Sequence, residues 1–267
     1  MMRINLRIMP AFMLLWVGLT SAQEFEVASI KPSSSSDPRT LLQVLPGGGL
    51  RTSGATLRFL LTQAYQVRSF QILDGPGWIS SDRFDIIATI DRSRPGGDEP
   101  LDPTKVTPGQ LTNMQNEMRP RLIALLAERF GLRVHRETRE QPIYELVVSK
   151  SGPKIDAVTG TFGGLHIAKN QLVGEAATIQ MLSTALANQV GREVADRTGL
   201  VGSFNFKLNW TPDETIPPNG GDPVSTLDQG GSSIFTAIRE QLGLELRATK
   251  GRTEVLVIDH VEHPSAN

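Results

Sequence analysis

The chain has 267 residues, of which 27 are basic and 28 acidic, for a formal net charge of −1. That balance excludes the long-range attraction to nucleic acid or anionic lipid that a basic surface provides. There is no cysteine, which excludes disulfides, a thiol nucleophile, a zinc–thiolate site and a lipid tether on an N-terminal cysteine.

Arg3 and Arg7 precede an apolar run, Ile8 to Leu19, and Thr20-Ser21-Ala22 offers small residues for cleavage after Ala22. This is the pattern of a secretory signal peptide over 1–22. The run is shorter than the ~20 residues that cross a bilayer as a helix. The expectation is a periplasmic or secreted protein with no membrane span after cleavage. Cleavage removes two basic and no acidic residues, so the net charge moves from −1 to −3.

Phe25 to Ile30 alternates as a strand and stops at Lys31-Pro32. Leu41 to Leu45 is a second strand, turned by Pro46-Gly47-Gly48-Gly49. Leu57, Leu60, Leu61 and Ala64 lie on one face of a helix, with Thr56 placed to cap it. A short strand is expected over Val67 to Leu73, then a turn at Asp74-Gly75-Pro76-Gly77. Phe84, Ile86, Ala88 and Ile90 alternate as a buried strand. Residues 91–112 read as a long exposed loop, with a helix starting at Pro120 because proline suits a first turn. Leu122, Leu125, Leu126 and Phe130 are its apolar face, and Gly131 its left-handed stop. Strands are expected at Leu132–Arg136 and Ile143–Ser149.

Gly163 to Val173 reads as a hairpin, and Ile179 to Val190 as a helix. After a turn at Asp196-Arg197-Thr198-Gly199, the residues Phe204, Phe206, Leu208 and Trp210 alternate with polar ones. A Pro- and Gly-rich loop covers Thr211 to Gly231. Ser232 or Ser233 caps a helix carrying Ile234, Phe235, Ile238 and Leu242, which Gly243 ends. Strands at Leu244–Ala248 and Glu254–Val261 follow.

The chain echoes itself. Leu126-Ala-Glu-Arg-Phe-Gly-Leu132 answers Ile238-Arg-Glu-Gln-Leu-Gly-Leu244. Thr56-Leu57-x-x-Leu60 answers Thr178-Ile179-x-x-Leu182, and Phe84-Asp85-Ile86 answers Phe204-Asn205-Phe206. The predicted fold is α+β: four helix–strand–strand units arranged as two pseudo-repeated halves, 23–150 and 151–267, with mainly antiparallel sheets. A helix on two strands buries too little to stand alone, so the units must share a core.

Several strings together resemble one family. They are Phe25-Glu-Val-Ala-Ser-Ile-Lys-Pro32, Gly75-Pro-Gly-Trp78, Arg83-Phe-Asp-Ile86 and Ala127-Glu-Arg-Phe-Gly-Leu132. Val134-His-Arg-Glu-Thr-Arg-Glu-Gln-Pro-Ile-Tyr144, Gly152-Pro-Lys154 and Asp196-Arg-Thr-Gly-Leu200 complete the set, with Phe204-Asn-Phe206 leading to Trp210. They resemble an uncharacterised exported family abundant in soil bacteria, acidobacterial in type and known only as a domain of unknown function. The resemblance implies an exported single-module protein whose module also occurs on membrane-bound sensor-type metallopeptidases. It carries over no activity, cofactor or catalytic residue, and this chain has no His-Glu-x-x-His.

The densest polar cluster, His135-Arg136-Glu137-Thr138-Arg139-Glu140, reads either as a charged binding ridge or as solvated cross-strand ion pairs. Trp78 reads as a displayed aromatic for a glycan or peptide, or as a lid on the core. His260 and His263 are weak metal candidates. Residues three apart on a strand face opposite ways, and a zinc site needs further ligands, so no metal and no cofactor are expected. No phosphate-binding Gly-Lys-Ser/Thr or Gly-x-Ser-x-Gly occurs. Asp213-Glu214 sits in a Pro-rich loop. These features point first to a non-enzymatic binding module of the cell envelope or exterior, for a peptide, glycan or envelope protein. A polymer hydrolase and a structural or sensor-associated assembly module remain the alternatives.

Overall fold

The computed structural model describes residues 25, 27–34, 37, 39–45, 49–90, 106–159, 163–168, 170–211 and 232–264. The expected leader at 1–22, the loop from 91 to 105 and Asp213-Glu214 lie outside the described residues.

Alternation builds the first sheet. Strands β1 (Val27–Pro32), β2 (Leu41–Leu45) and β3 (Gly49–Thr56) come first. Thr56 ends β3 and caps helix α1 (Leu57–Tyr65), its hydroxyl accepting the Phe59 N–H at 3.2 Å. Leu57, Leu60, Leu61 and Ala64 are buried, as their spacing requires. The strand expected over Val67 to Leu73 shrinks to β4 (Ile72–Leu73). The Arg68 N–H donates to the Gln71 side chain at 2.8 Å, which tightens Ser69–Gln71 into a 3₁₀ turn. Helix α2 (Trp78–Ser81) and strand β5 (Arg83–Thr89) follow. The sheet order is β1-β5-β3-β2, all antiparallel.

Helix α3 (Pro108–Arg129) starts well before Pro120. Thr107 and Gln110 form a reciprocal capping box, and Pro108 occupies the first turn. Pro120 lies inside the helix. The first half of α3 is mostly exposed, including Leu111 at 44%. With no apolar stripe there, the periodicity that marks a helix begins only near Met118. After Phe130, Gly131 turns left-handed (φ 56°) and the Leu132 N–H returns to the Leu126 carbonyl.

Strand β6 (Arg133–Val148) is one continuous strand of 16 residues rather than two. A second run of elements then follows: β7 (Asp156–Val158), β8 (Gly164–Ala168), β9 (Gln171–Ala177), α4 (Ile179–Val190), β10 (Val194–Asp196) and β11 (Ser203–Asn209). Helix α4 is capped by Thr178, whose hydroxyl accepts from the Met181 N–H. Strand β11 alternates buried and exposed at every step from Phe204. The second sheet is ordered β7-β11-β9-β8, also antiparallel. Helix α5 (Ile234–Ala237) continues as a π-turn through Ile238–Leu242. Gly243 ends it (φ 65°), where a Cβ would lie 2.0 Å from the Gly152 carbonyl oxygen. Strand β12 (Leu244–His260) closes the chain and is again unbroken, at 17 residues.

The two long strands pair with each other, from Leu244 opposite Val148 to His260 opposite Arg133. The hairpin expected over Gly163 to Val173 forms, as β8 on β9, whereas the expected pairs Leu132–Arg136 with Ile143–Ser149 and Leu244–Ala248 with Glu254–Val261 do not. The reason is burial on alternate ends. Tyr144 and Leu146 of β6 enter a core with Leu172, Leu182, Phe204 and Leu208, while Leu256 and Ile258 of β12 enter one with Leu60, Ile86 and Phe130. Fully burying such a side chain is worth about 1.5–3 kcal/mol, and with Leu244 of β12 in the former core and Val134 of β6 packed against the latter, each strand is held by both. Short parallel strands flank the ribbon: β4 beside Leu256 and Val257, β10 beside Tyr144 to Leu146. Among the described residues the fold is α+β, with five helices and mostly antiparallel sheets. None of these helices is long and apolar enough to cross a membrane.

Candidate functional site

The middle of the ribbon is the floor of a half-open groove of about 720 Å³. Gln141, Pro142 and Ile143 come from β6, and Thr253 and Val255 from β12. One wall is Ser69 to Gly75 with Arg58 and Ser80; the other is the turn Gly191-Arg192-Glu193 after α4. The groove therefore draws on segments far apart in the chain.

Its lining mixes apolar surface with fixed polar groups, the usual makeup of a ligand site. Phe70, Leu73 and Pro142 supply the accessible apolar part, with the buried Ile72, Ile143 and Val255 beneath. Arg58 is the second residue of α1, at the edge of the buried face. Its Nε donates to Ser80 Oγ at 2.8 Å, and its Nη1 to the carbonyls of Ser69 and Ile72 at 2.8 and 3.0 Å. Burial pulls its pKa below the usual arginine value. Glu193 accepts from Arg68 at 3.1 Å, and Asp74 from Arg139 at 2.8 Å. The Arg192 guanidinium lies 5.6 Å from the centre of the Tyr144 ring. Gln71 donates to the Glu254 carbonyl at 3.1 Å. Guanidinium, amide and hydroxyl groups beside the apolar Phe70, Leu73 and Pro142 can orient and hold a ligand.

The cluster singled out in the sequence lies largely beside this groove. His135 Nδ1 pairs with Asp259 at 2.9 Å, and that bond raises the imidazole pKa first among its causes. Arg136 pairs with Glu254 and donates to the Tyr65 carbonyl at 2.6 Å. Glu137 pairs with Arg139. These are cross-strand and neighbouring ion pairs on an exposed ribbon, where solvent screens them and they add little to stability. Only Arg139 reaches the groove, through Asp74. Trp78 is half-buried against the first core and stacks on His263, with ring centroids 4.0 Å apart. His263 Nε2 lies 3.0 Å from Asp82, whereas His260 faces Glu262 at 2.8 Å. The two histidines thus turn to different carboxylates. Among the described residues no three His, Asp or Glu side chains are placed to share a metal ion.

Sequence reasoning missed Arg58, Phe70, Gln141 and Arg192. A cation beside the apolar stripe of α1 was the available signal, and it does not say what the stripe packs against.

Residues 58–261 match the family model described as Protein of unknown function (DUF3738). The chain belongs to this family. The matched span begins at Arg58 and ends after β12, so the DUF3738 region contains every residue lining the groove. No curated protein and no solved structure matches the chain.

Proposed function

We propose that this DUF3738 protein is an exported, non-enzymatic binding module of the cell envelope or exterior, and that it holds a short peptide in the groove on the central ribbon. The observation that carries the reading is the groove itself, half-open, with apolar and polar groups mixed in a lining drawn from both runs of elements. A peptide suits it because the ribbon has open edges. Among the described residues β4 covers only Leu256 and Val257 of β12, and β10 only Tyr144 to Leu146 of β6. An extended chain can use such edges for main-chain hydrogen bonds.

Export rests on the basic start, apolar run and Thr20-Ser21-Ala22 of the leader, and the soil-bacterial affiliation on the motif strings quoted above. The duplicated architecture, with halves at 23–150 and 151–267, is part of the same proposal. Its support is that, α2 apart, both runs share one order of elements, and that Ile72 meets Leu256 as Val194 meets Tyr144.

The test is an NMR titration of the chain from Gln23 with a panel of short apolar peptides. Shifts concentrated on Phe70, Gln141, Ile143 and Thr253, and loss of binding in Phe70→Ala, are expected. Peptide-induced shifts gathered elsewhere, or cleavage of the peptides, would overturn the reading. Recovery of secreted protein whose first residue is Gln23 checks the export step.

A further inference from the structure

The charges in the groove are not equally answered. Both lining acids already have a cation: Asp74 has Arg139 at 2.8 Å and Glu193 has Arg68 at 3.1 Å. Arg58 has no acid. Its bonds go to one hydroxyl and two carbonyls, all neutral, and among the described residues no carboxylate lies within ion-pair distance of it. Its Nη2 makes no hydrogen bond among the described residues. Three bonds through Nε and Nη1 hold the planar fork in place and leave the two Nη2 N–H groups unused among the described residues.

A half-buried cation without a counter-charge is an unfavourable arrangement in the free protein. Its depressed pKa reflects the same desolvation. An incoming anion removes that cost and meets a donor that is already oriented. The anion must be small and singly charged, because only the Nη2 N–H groups are on offer and the chain as a whole is slightly acidic. The apolar groups that the groove leaves accessible, Phe70, Leu73 and Pro142, match a ligand whose remainder is apolar.

We infer that Arg58 anchors the free carboxylate of a short apolar peptide, whose side chains lie on Phe70, Leu73 and Pro142. This rests on the peptide-binding reading above and names the group that the groove recognises.

The experiment uses a matched pair of N-acetylated tripeptides of leucine, valine and phenylalanine, one with a free C-terminal carboxylate and one amidated. Each is titrated calorimetrically into the full chain and into Arg58→Gln, Arg58→Lys and Phe70→Ala. A charge-assisted bond predicts that the acid binds about tenfold or more tightly than the amide. Arg58→Gln brings the acid down to the amide, Arg58→Lys falls between, and Phe70→Ala weakens both peptides. The acid–amide comparison in the unaltered chain needs no variant to fold. Equal binding of acid and amide, still weakened by Phe70→Ala, overturns the role of Arg58 and leaves the groove reading standing. A preference for the acid that survives Arg58→Gln also overturns it. Binding of neither peptide sinks both readings together, as does inorganic phosphate binding at Arg58 when neither peptide binds.

Discussion

Two β-bulges, one in each outer sheet, solve the same problem with different residues. Between Thr52 and Ala55, β3 slips against β5, and Gly54 takes up the slack in a left-handed conformation (φ 61°). In β9 the slip against β11 falls between the pairs at Phe204 and Phe206, and Ala176 does the same at φ 47°. In both, the freed N–H is captured at 2.8 Å by the residue after a buried phenylalanine: Gly54 by Asp85, Ala176 by Asn205. The neighbours differ. Arg83 packs over Gly54, donating to the carbonyls of Gly54, Asp37 and Arg39, and a Cβ on Gly54 would sit 2.2 Å from its Nη2. Ser203 precedes Phe204 at the other bulge. The bulge itself requires an acceptor for one N–H; the glycine is required by the arginine above it.

The most severe way to break the comparison is to ask whether the two sheets stand apart at all. Leu256→Ala, on the strand that ends the chain, should remove about 2–5 kcal/mol from the core around Leu60 and Phe130. Because β6 and β12 link both cores, the whole chain should still melt in one calorimetric transition. Two separable transitions, with only one displaced, would show that the ribbon does not couple them.

A smaller effect sharpens the contrast between the bulges. Gly54→Ala should cost about 1–3 kcal/mol, from left-handed strain and the clash with Arg83. Ala176→Gly should change stability by less than about 1 kcal/mol, since relief of strain offsets added chain entropy. Urea midpoints measure both. Equal costs at the two sites would remove Arg83 from the explanation.

The mildest test is the acid limb. The Gly54 N–H, ahead of the Ser33 and Ser53 hydroxyls and Arg83, holds the Asp85 carboxyl below the usual carboxylate range. Its folded pKa lies below the unfolded value of about 3.9, so its contribution is present above that value and lost as pH falls through the folded pKa. Asp85→Asn, which copies Asn205, should cost about 1 kcal/mol at neutral pH and flatten the loss of stability in acid. An acid limb unchanged in slope would mean that Asp85 does not titrate with folding.

Much of the fold was legible because it is local. The Leu57, Leu60, Leu61 and Ala64 spacing placed α1, and α4 ran from Ile179 to Val190 as its pattern required. The first half of α3 was not legible, since its capping box precedes a polar stretch that faces solvent. The candidate site was scarcely legible. The visible cluster from His135 to Arg139 forms ion pairs, and of it only Arg139 touches the groove. Arg58, Phe70, Gln141 and Arg192 are unremarkable until four distant segments meet.

From the residues alone come α1 with its Thr56 cap, α4, the alternating strands β5 and β11, and the glycine stops after Phe130 and Leu242. Each depends on hydrogen bonds and side-chain periods within a few residues. Tertiary structure alone decided that β6 and β12 would run unbroken and choose each other, and that a groove would open over their midpoint. Partner choice between strands is made by burial against residues a hundred or more positions away, and no local pattern records it.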